Sequence, residues 1–214
     1  MIVLFLVFIG AIILLDKYTI GEFGVSQPII AGTIIGALCG DLKSGIFIGA
    51  LFQMLFLANL PIGKDVPPDA QAAGIAGCGS YFVIKVIHKT EPNLIIIFLI
   101  GILTAVLGSF LDVLVRRVNE KFYHWFLRDK RQLNFSHMTG VGVSLIRGVI
   151  LFALIFGIVS IIGAPVGGLT FNKEFLMVLV ASLGIANGIY LYLRKQSFYA
   201  FLLGLICALV YFVF

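Results

Sequence analysis

The stretch from Gly40 to Ala70 reads GDLKSGIFIGALFQMLFLANLPIGKDVPPDA, an apolar run that ends among prolines and charged residues. Pro61, Pro67 and Pro68 lack the backbone N–H donor and disfavour a continuous helix. The sequence on both sides of these prolines is almost continuously apolar. The prolines therefore predict a helix break inside an apolar protein, where backbone carbonyl and amide groups are freed from helical hydrogen bonding.

The whole chain is too apolar for a water-soluble fold. Of its 214 residues, 61% are hydrophobic and 12% are charged, and the mean hydropathy is +1.13. A soluble domain has about 25% charged residues, so the solvent here must be lipid. The formal net charge of +5 is then explained by basic residues that set the membrane topology and contact lipid headgroups, rather than by nucleic-acid binding. The apolar N-terminus has no preceding Lys or Arg and so lacks the charged start of a secretory signal peptide.

Apolar segments recur along the entire chain, and their lengths define the fold class. A helical span of the bilayer needs about 20 residues. Four segments reach or approach this length, and the shorter ones around the sequence GDLKSG predict a re-entrant hairpin or two short crossings. The segments are 1–15, 28–40, 45–60, 70–87, 93–115, 138–163, 175–193 and 197–214. We predict an all-α integral membrane protein, a multi-span helical bundle with short, broken or re-entrant helices, forming one membrane-embedded domain over residues 1–214.

The segment 116–135 is basic and aromatic, unlike its apolar surroundings. Its apolar residues recur at helical spacing, which predicts an amphipathic helix at the membrane surface. The positive-inside rule places this helix in the cytoplasm, and the basic pair at 194–195 follows two spans later on the same face. Asp112 lies one turn before Arg116, which predicts an i,i+4 ion pair. The short segments of the N-terminal half leave the number of their crossings open.

The segment 40–69 resembles the IIC subunits of the mannose–fructose–sorbose family of the bacterial sugar phosphotransferase system. The residues that match the family pattern are Gly40-Asp41, Gly45, Gly49-Ala50, Ile62-Gly63 and Val66-Pro67-Pro68-Asp69. The resemblance extends over roughly 25–150. Gln53 stands where the family usually has glutamate, and Lys64-Asp65 stands where it usually has two alanines.

The resemblance implies a membrane subunit that translocates a hexose-type sugar without catalytic residues, metal or cofactor of its own. Its implied partners are a membrane IID subunit and the soluble phosphocarrier subunits IIA and IIB, of which IIB phosphorylates the sugar at the cytoplasmic face. The subunit is expected in the bacterial inner membrane as part of a homo- or hetero-oligomer, with no nucleic acid. The substitution at Gln53 and the short chain motivate a second interpretation, a binding or scaffold protein that no longer transports. A third interpretation is an unrelated secondary transporter with similar broken helices.

Several polar residues near the helix break are candidates for binding sugar hydroxyls. Carboxylates, amides and freed backbone groups suit a ligand whose hydroxyls both donate and accept hydrogen bonds. The predicted substrate-binding residues are Gln53, Asp69, Asn59, Asp65 and Asp41. Gln53 and Asn59 lie six residues apart and do not share a helix face, and we favour Gln53. The alternative is an ordinary polar loop at the membrane surface.

Arg147 lies well inside an apolar run, and His137 precedes it by ten residues. An arginine in the membrane costs about 2.5–3.5 kcal/mol on insertion scales. We therefore expect a polar partner for Arg147 within the bundle, the alternative being a side chain that reaches the interface. Pro67 and Pro68 are predicted to have a structural role in stopping the helix, and His137 and Arg147 to have a structural or network role.

Overall fold

A computed structural model describes residues 1–17, 19–57, 66–126, 133–163 and 173–193 of the chain. Within these ranges the regular structure is entirely helical, which confirms the predicted all-α fold class. A short 3-10 turn at Leu15–Lys17 follows the first helix. The α-helices are α1 (Ile2–Leu14), α2 (Pro28–Leu38), α3 (Leu42–Leu55), α4 (Ala70–Ile87), α5 (Leu94–Phe126), α6 (Leu133–Ile162) and α7 (Lys173–Leu193).

Helices α2 and α3 form a tight hairpin, and neither is long enough to cross a bilayer. At 1.5 Å per residue they measure about 16 Å and 21 Å. The turn between them is made by Gly40, whose φ of +79° suits glycine. Backbone contacts hold the two helices together, because a Cβ on Gly32 would lie only 2.6 Å from the carbonyl oxygen of Gly45. The predicted short helices thus pair with each other.

Helix α4 lies at the centre of the bundle, packed against the hairpin, α1, α5 and α6. All its residues from Ala72 to Ile84 are buried. Its glycines admit large rings from other helices, because Phe52 lies against Gly77 and Phe156 lies against Gly79. Among the described residues, three stretches are long and apolar enough to cross a membrane: Ala70–Ile87, Leu94–His124 and His137–Ile162.

The basic segment is divided between two long helices instead of forming one separate helix over 116–135. Residues 116–126 continue α5, whose 33 residues measure about 50 Å and therefore exceed the bilayer core by about 20 Å. No Gly or Pro interrupts α5 between 109 and 126, so its helical register continues past the apolar part. Helix α6 begins at Leu133. Residues 127–132, like the apolar segment 197–214, lie outside the described residues.

Candidate functional site

Asp69 occupies the position where the chain enters α4, directly after Pro67 and Pro68. Its backbone N–H donates to the carbonyl of Ala105 at 2.9 Å, and its side chain caps α4 by accepting from the N–H of Ala72 at 3.1 Å. This capping satisfies one of the free donors at the helix N-terminus. The side chain is completely buried. The residue that follows the two prolines is therefore a buried carboxylate, held in place inside the bundle.

Two cations from other helices neutralise Asp69. The Lys17 Nζ lies 2.9 Å from Asp69 Oδ1, and the Arg147 Nη2 donates to Asp69 Oδ2. Arg147 is 5% exposed and lies near the middle of α6, so it does not reach the interface. The prediction of a polar partner for Arg147 inside the bundle is thus confirmed, and the ion pair offsets the free-energy cost of an arginine in the membrane. The contribution of Lys17 was not foreseen, although it is the first cation after the N-terminal apolar segment.

The charges continue from Arg147 onto α5. Its Nη2 also donates to the carbonyl of Gly108 at 3.0 Å, and its Nη1 lies 3.6 Å from Asp112 Oδ1. Asp112 Oδ2 in turn lies 3.0 Å from the Nη2 of Arg116, which is the predicted i,i+4 pair. Lys17, Asp69, Arg147, Asp112 and Arg116 are hereafter called the ionic network. It joins the segment after α1 with α4, α5 and α6.

Gly108 allows α5 to approach this network, a role that sequence reasoning missed. A Cβ at Gly108 would lie 2.8 Å from the Asp69 Cβ and 3.1 Å from its Oδ2. Because a larger residue would push α5 away, the hydrogen bond from Arg147 to the Gly108 carbonyl depends on this glycine. This close approach could not be predicted from the sequence, because a glycine in an apolar helix does not indicate which other helix packs against it.

Gln53 lies near the end of α3 and contacts Gln27, not Asp69. The Gln53 Nε2 donates to Gln27 Oε1 at 3.1 Å. The Gln53 Oε1 is buried and has no hydrogen-bond partner in the described part of the chain. Gln27 precedes Pro28, the first residue of α2, and Pro28 packs on Gly74 one turn into α4. The base of the hairpin therefore brings together the start of α2, the end of α3 and the start of α4.

Asp41 lies at the opposite end of α3, about 18 Å along the helix from Gln53. It caps α3 through the N–H of Ser44 at 3.1 Å and accepts from Lys85 Nζ at 2.8 Å. The hydrogen bond from the Lys85 ammonium and those from Ser44 lower the pKa of Asp41 from 3.8 to about 2. Tyr81 and Glu91 complete this cluster. The hairpin tip is thus tied to the C-terminal end of α4.

The remaining candidates separate into two groups. Asn59 and Asp65 lie outside the described residues. His137 is exposed on α6 and faces a cavity of about 410 Å³ between α5, α6 and the segment after α1. Asp112 and Arg116 line the same cavity, so His137 adjoins one end of the ionic network. The cavity lining is Thr19, Asp112, Val115, Arg116, Asn119, Phe122, His137, Gly140, Val141 and Ser144.

Comparison with known families gives a match over almost the whole chain. The family described as the PTS system sorbose-specific IIC component matches residues 1–213. The mannose-specific EIIC component of Escherichia coli K12 is 34% identical over 119 residues, 56% of this chain and 42% of that protein. The sorbose-specific EIIC component of Klebsiella pneumoniae is 29% identical over 133 residues, 59% of this chain and 47% of that protein. The chain spans about half the length of the curated relatives it matches.

Solved structures share the fold. A chain described as a membrane protein has a TM-score of 0.71 at 22% identity and covers 97% of this chain and 85% of its own length. The cryo-EM structure of the mannose transporter ManYZ in complex with microcin E492 has a TM-score of 0.55 at 24% identity, with the same two coverages. Both resemblances concern the arrangement of helices.

Proposed function

Because the chain belongs to the family of sorbose-specific IIC components of the phosphotransferase system, we propose that it is the membrane translocation subunit of a sugar transporter. In this role it binds a hexose-type sugar, and a separate soluble IIB subunit phosphorylates the sugar during import. The membrane is the inner membrane of a bacterium. Membership of this family is the main support for the role of a transporter membrane subunit, and it argues against the interpretation as an unrelated secondary transporter.

The observation that supports a sugar site most directly is the amide pair of Gln27 and Gln53. Each amide both donates and accepts hydrogen bonds, as a sugar hydroxyl does. The two amides satisfy each other through one hydrogen bond, and the buried Gln53 Oε1 remains an acceptor without a partner in the described part of the chain. A buried polar atom in that state costs about 1–3 kcal/mol, which a ligand hydroxyl would offset.

The helix ends around this pair strengthen the proposal. Helices α2 and α4 both begin near it. The start of α2 has no side-chain cap, and the N–H groups and positive dipole at such an end favour electronegative ligand atoms. Pro28 against Gly74 fixes the distance between the two helix starts. Broken helices near the middle of a membrane protein supply binding groups in this way in known transporters.

Asp69 has a positioning role in this proposal. Its two oxygens are held by Lys17, Arg147 and the N–H of Ala72, so the protein itself uses the carboxylate. Through its bond to Ala105 and its cap on α4, it sets where the helix after the prolines begins. Pro67 and Pro68 serve the same purpose by preventing an earlier helix start. Asp41 similarly fixes the hairpin tip.

The partners in the proposal are a IID membrane subunit and the soluble IIA and IIB subunits. The end of α5 that extends beyond the apolar part carries exposed Arg117 and Lys121. Positive residues concentrate on the cytoplasmic side of membrane proteins, which supports a cytoplasmic position for this end of the molecule, on the side where IIB acts in the proposal. The other end then holds the α4–α5 connection and the hairpin tip.

Sugar binding to the purified chain tests the proposal. The probes are mannose, sorbose, fructose and N-acetylgalactosamine, the sugars in the names of the relatives. We expect Gln53→Ala to weaken binding of the preferred sugar about tenfold through loss of one hydrogen bond. Asn187→Ala removes an exposed amide on α7 and is the matched control. Equal affinities of wild type and Gln53→Ala would place the site elsewhere.

Gln53→Glu tests the departure from the family pattern. A carboxylate at this position makes charge-assisted hydrogen bonds, which are about twice as strong as neutral ones. Gln27 must then turn its amide so that Nε2 donates to the carboxylate. We expect tighter sugar binding by this variant than by the wild type.

The second candidate function, a binding or scaffold protein that does not transport, is favoured by the same glutamine. Sugar uptake by cells that lack this subunit and regain it separates the two functions. Restored uptake supports transport, whereas binding by the purified chain without uptake in the presence of IIA, IIB and IID supports the second function.

A further inference from the structure

We propose that the cavity between α5, α6 and the segment after α1 is a second binding site for a sugar-class polyol, distinct from the Gln27–Gln53 pair. Its volume of about 410 Å³ lies within the range of about 300–1,000 Å³ found for small-molecule sites. The proposal rests on the proposed function for its choice of sugar probes, whereas the ligand class follows from the residues that line the cavity.

The cavity lining offers both donors and acceptors at close quarters. Thr19 and Ser144 contribute hydroxyls, Asn119 an amide and Asp112 a carboxylate, while the ring of Phe122 supplies an apolar wall. Small-molecule sites combine apolar and aromatic surface with a few polar groups that fix the ligand. A polyol uses all of these, because its hydroxyls need both donors and acceptors and its C–H faces need apolar contact.

Asn119 carries an acceptor that the described part of the chain does not satisfy. Its Oδ1 is buried and lacks a hydrogen-bond partner there. On the facing helix Gly140 has no side chain, and a Cβ built there would lie 4.0 Å from this oxygen, with no other atom nearer than 4 Å. The glycine therefore leaves open the space in front of an unused acceptor, which a donor from a ligand can fill.

The charges at the cavity favour a neutral ligand over an anion. Arg116 carries the permanent positive charge among the lining residues, and Asp112 already holds its guanidinium at 3.0 Å. Asp112 is fixed further by Arg147 on the other side, so its carboxylate stays at the wall and repels a phosphate or carboxylate ligand. The same fixed carboxylate is a strong acceptor for hydroxyl groups.

The ionic network separates this cavity from the hairpin base. Asp69 lies level with Ala105 and Gly108 on α5, and Asn119 lies about 16–21 Å farther along that helix. The Gln27–Gln53 pair lies near the other side of the α4 start, where Pro28 contacts Gly74. A sugar would therefore meet one site on each side of the buried charges, the second one at the basic end of the molecule.

Calorimetric titration of the purified full chain tests the second site. The probes are the four sugars named above and, separately, inorganic phosphate. In the wild type we expect two sugar sites, and in a Gln53→Ala background we expect the hairpin-base site to weaken about tenfold while the cavity site keeps its affinity. Gly140→Leu fills the cavity and should abolish that site, whereas Gly142→Leu, at a glycine with no atom within 4 Å of a built Cβ, should leave it intact. Asn119→Ala should weaken the same site about tenfold.

Each outcome decides the proposal. A single sugar site in the wild type that Gln53→Ala weakens, or equal sugar binding in the Gly140→Leu and Gly142→Leu variants, overturns the second site and leaves the proposed function standing. Binding of phosphate without any sugar at the cavity assigns it to an anion and also overturns the polyol assignment. No binding of any sugar by the wild type overturns both proposals. Unchanged sugar binding in Asn119→Ala would also overturn the polyol assignment, because the unused acceptor of Asn119 is the group that the ligand is proposed to engage.

Discussion

Substitution of Asp69 by asparagine should cost more stability than any other single change in the ionic network. Asparagine is as good a helix N-cap as aspartate, so the cap on α4 is retained and the charge alone is removed. Lys17 and Arg147 would then face a neutral amide at a completely buried position. Removal of one partner from a buried ion pair costs about 3–5 kcal/mol, because an uncompensated charge stays inside.

The balance of charge makes the effect of Arg147→Met smaller. The described network holds three cations and two carboxylates. Without Arg147, Lys17 still pairs with Asp69 and Arg116 still pairs with Asp112, so both remaining pairs are balanced. The main loss is the hydrogen bond that Arg147 donates to the buried carboxylate of Asp69, about 1–3 kcal/mol, together with the ion pair to Asp112 at 3.6 Å. Asp69→Asn should therefore lose more stability than Arg147→Met, because only Asp69→Asn leaves the network with unbalanced positive charge.

Thermal unfolding of the purified protein in detergent measures the difference. A loss of 3–5 kcal/mol corresponds to a decrease in melting temperature of roughly 6–20 °C for a chain of this size. Arg116→Met is the control, because its side chain is 55% exposed and exposed ion pairs contribute little. An Asp69→Asn variant that melts within about 2 °C of the wild type, or an Arg147→Met variant that melts lower than Asp69→Asn, would refute the reasoning.

Three other changes test the hairpin, its tip and the topology. Gly45→Leu should prevent the two hairpin helices from packing and abolish monodisperse protein in size-exclusion chromatography, because the Gly45 Cα already lies within 2.8 Å of where a Cβ on Gly36 would be. Leu at Gly157, where a built Cβ meets no atom within 4 Å, should be tolerated. The ion pair of Asp41 with Lys85 should stabilise the fold fully above the ordinary carboxyl pKa of 3.8 and lose this effect as the pH falls toward about 2. The melting temperatures of wild type and Asp41→Asn should therefore converge near pH 2. A constant difference between them down to about pH 2 would contradict this prediction. A cysteine at exposed Lys121 in a cysteine-free background should resist a membrane-impermeant thiol reagent in intact cells and react after lysis, and efficient labelling of intact cells would reverse the orientation.

The sequence by itself determined the fold class and most helix boundaries. Apolar length and the positions of proline and glycine depend on neighbouring residues only, so the predicted segments 28–40, 70–87 and 175–193 correspond closely to α2, α4 and α7. The i,i+4 pair of Asp112 with Arg116 was predictable for the same reason. The sequence also indicated that Arg147 needs a partner, because the cost of an intramembrane charge does not depend on which helix supplies that partner.

Only the tertiary structure decided which residues are partners. Asp69 lies 78 residues from Arg147 along the chain, and Gln27 lies 26 residues from Gln53. These pairs form because α4 packs between the hairpin, α1, α5 and α6 at distances that small residues such as Gly108 allow. Hydrophobic burial in a bundle of similar apolar helices is non-directional, so composition specifies that helices pack but not which faces meet. The division of the basic segment between α5 and α6 was also not predictable from hydropathy. Helix α5 continues beyond its apolar part to Phe126, so the end of the apolar stretch does not mark the end of the helix.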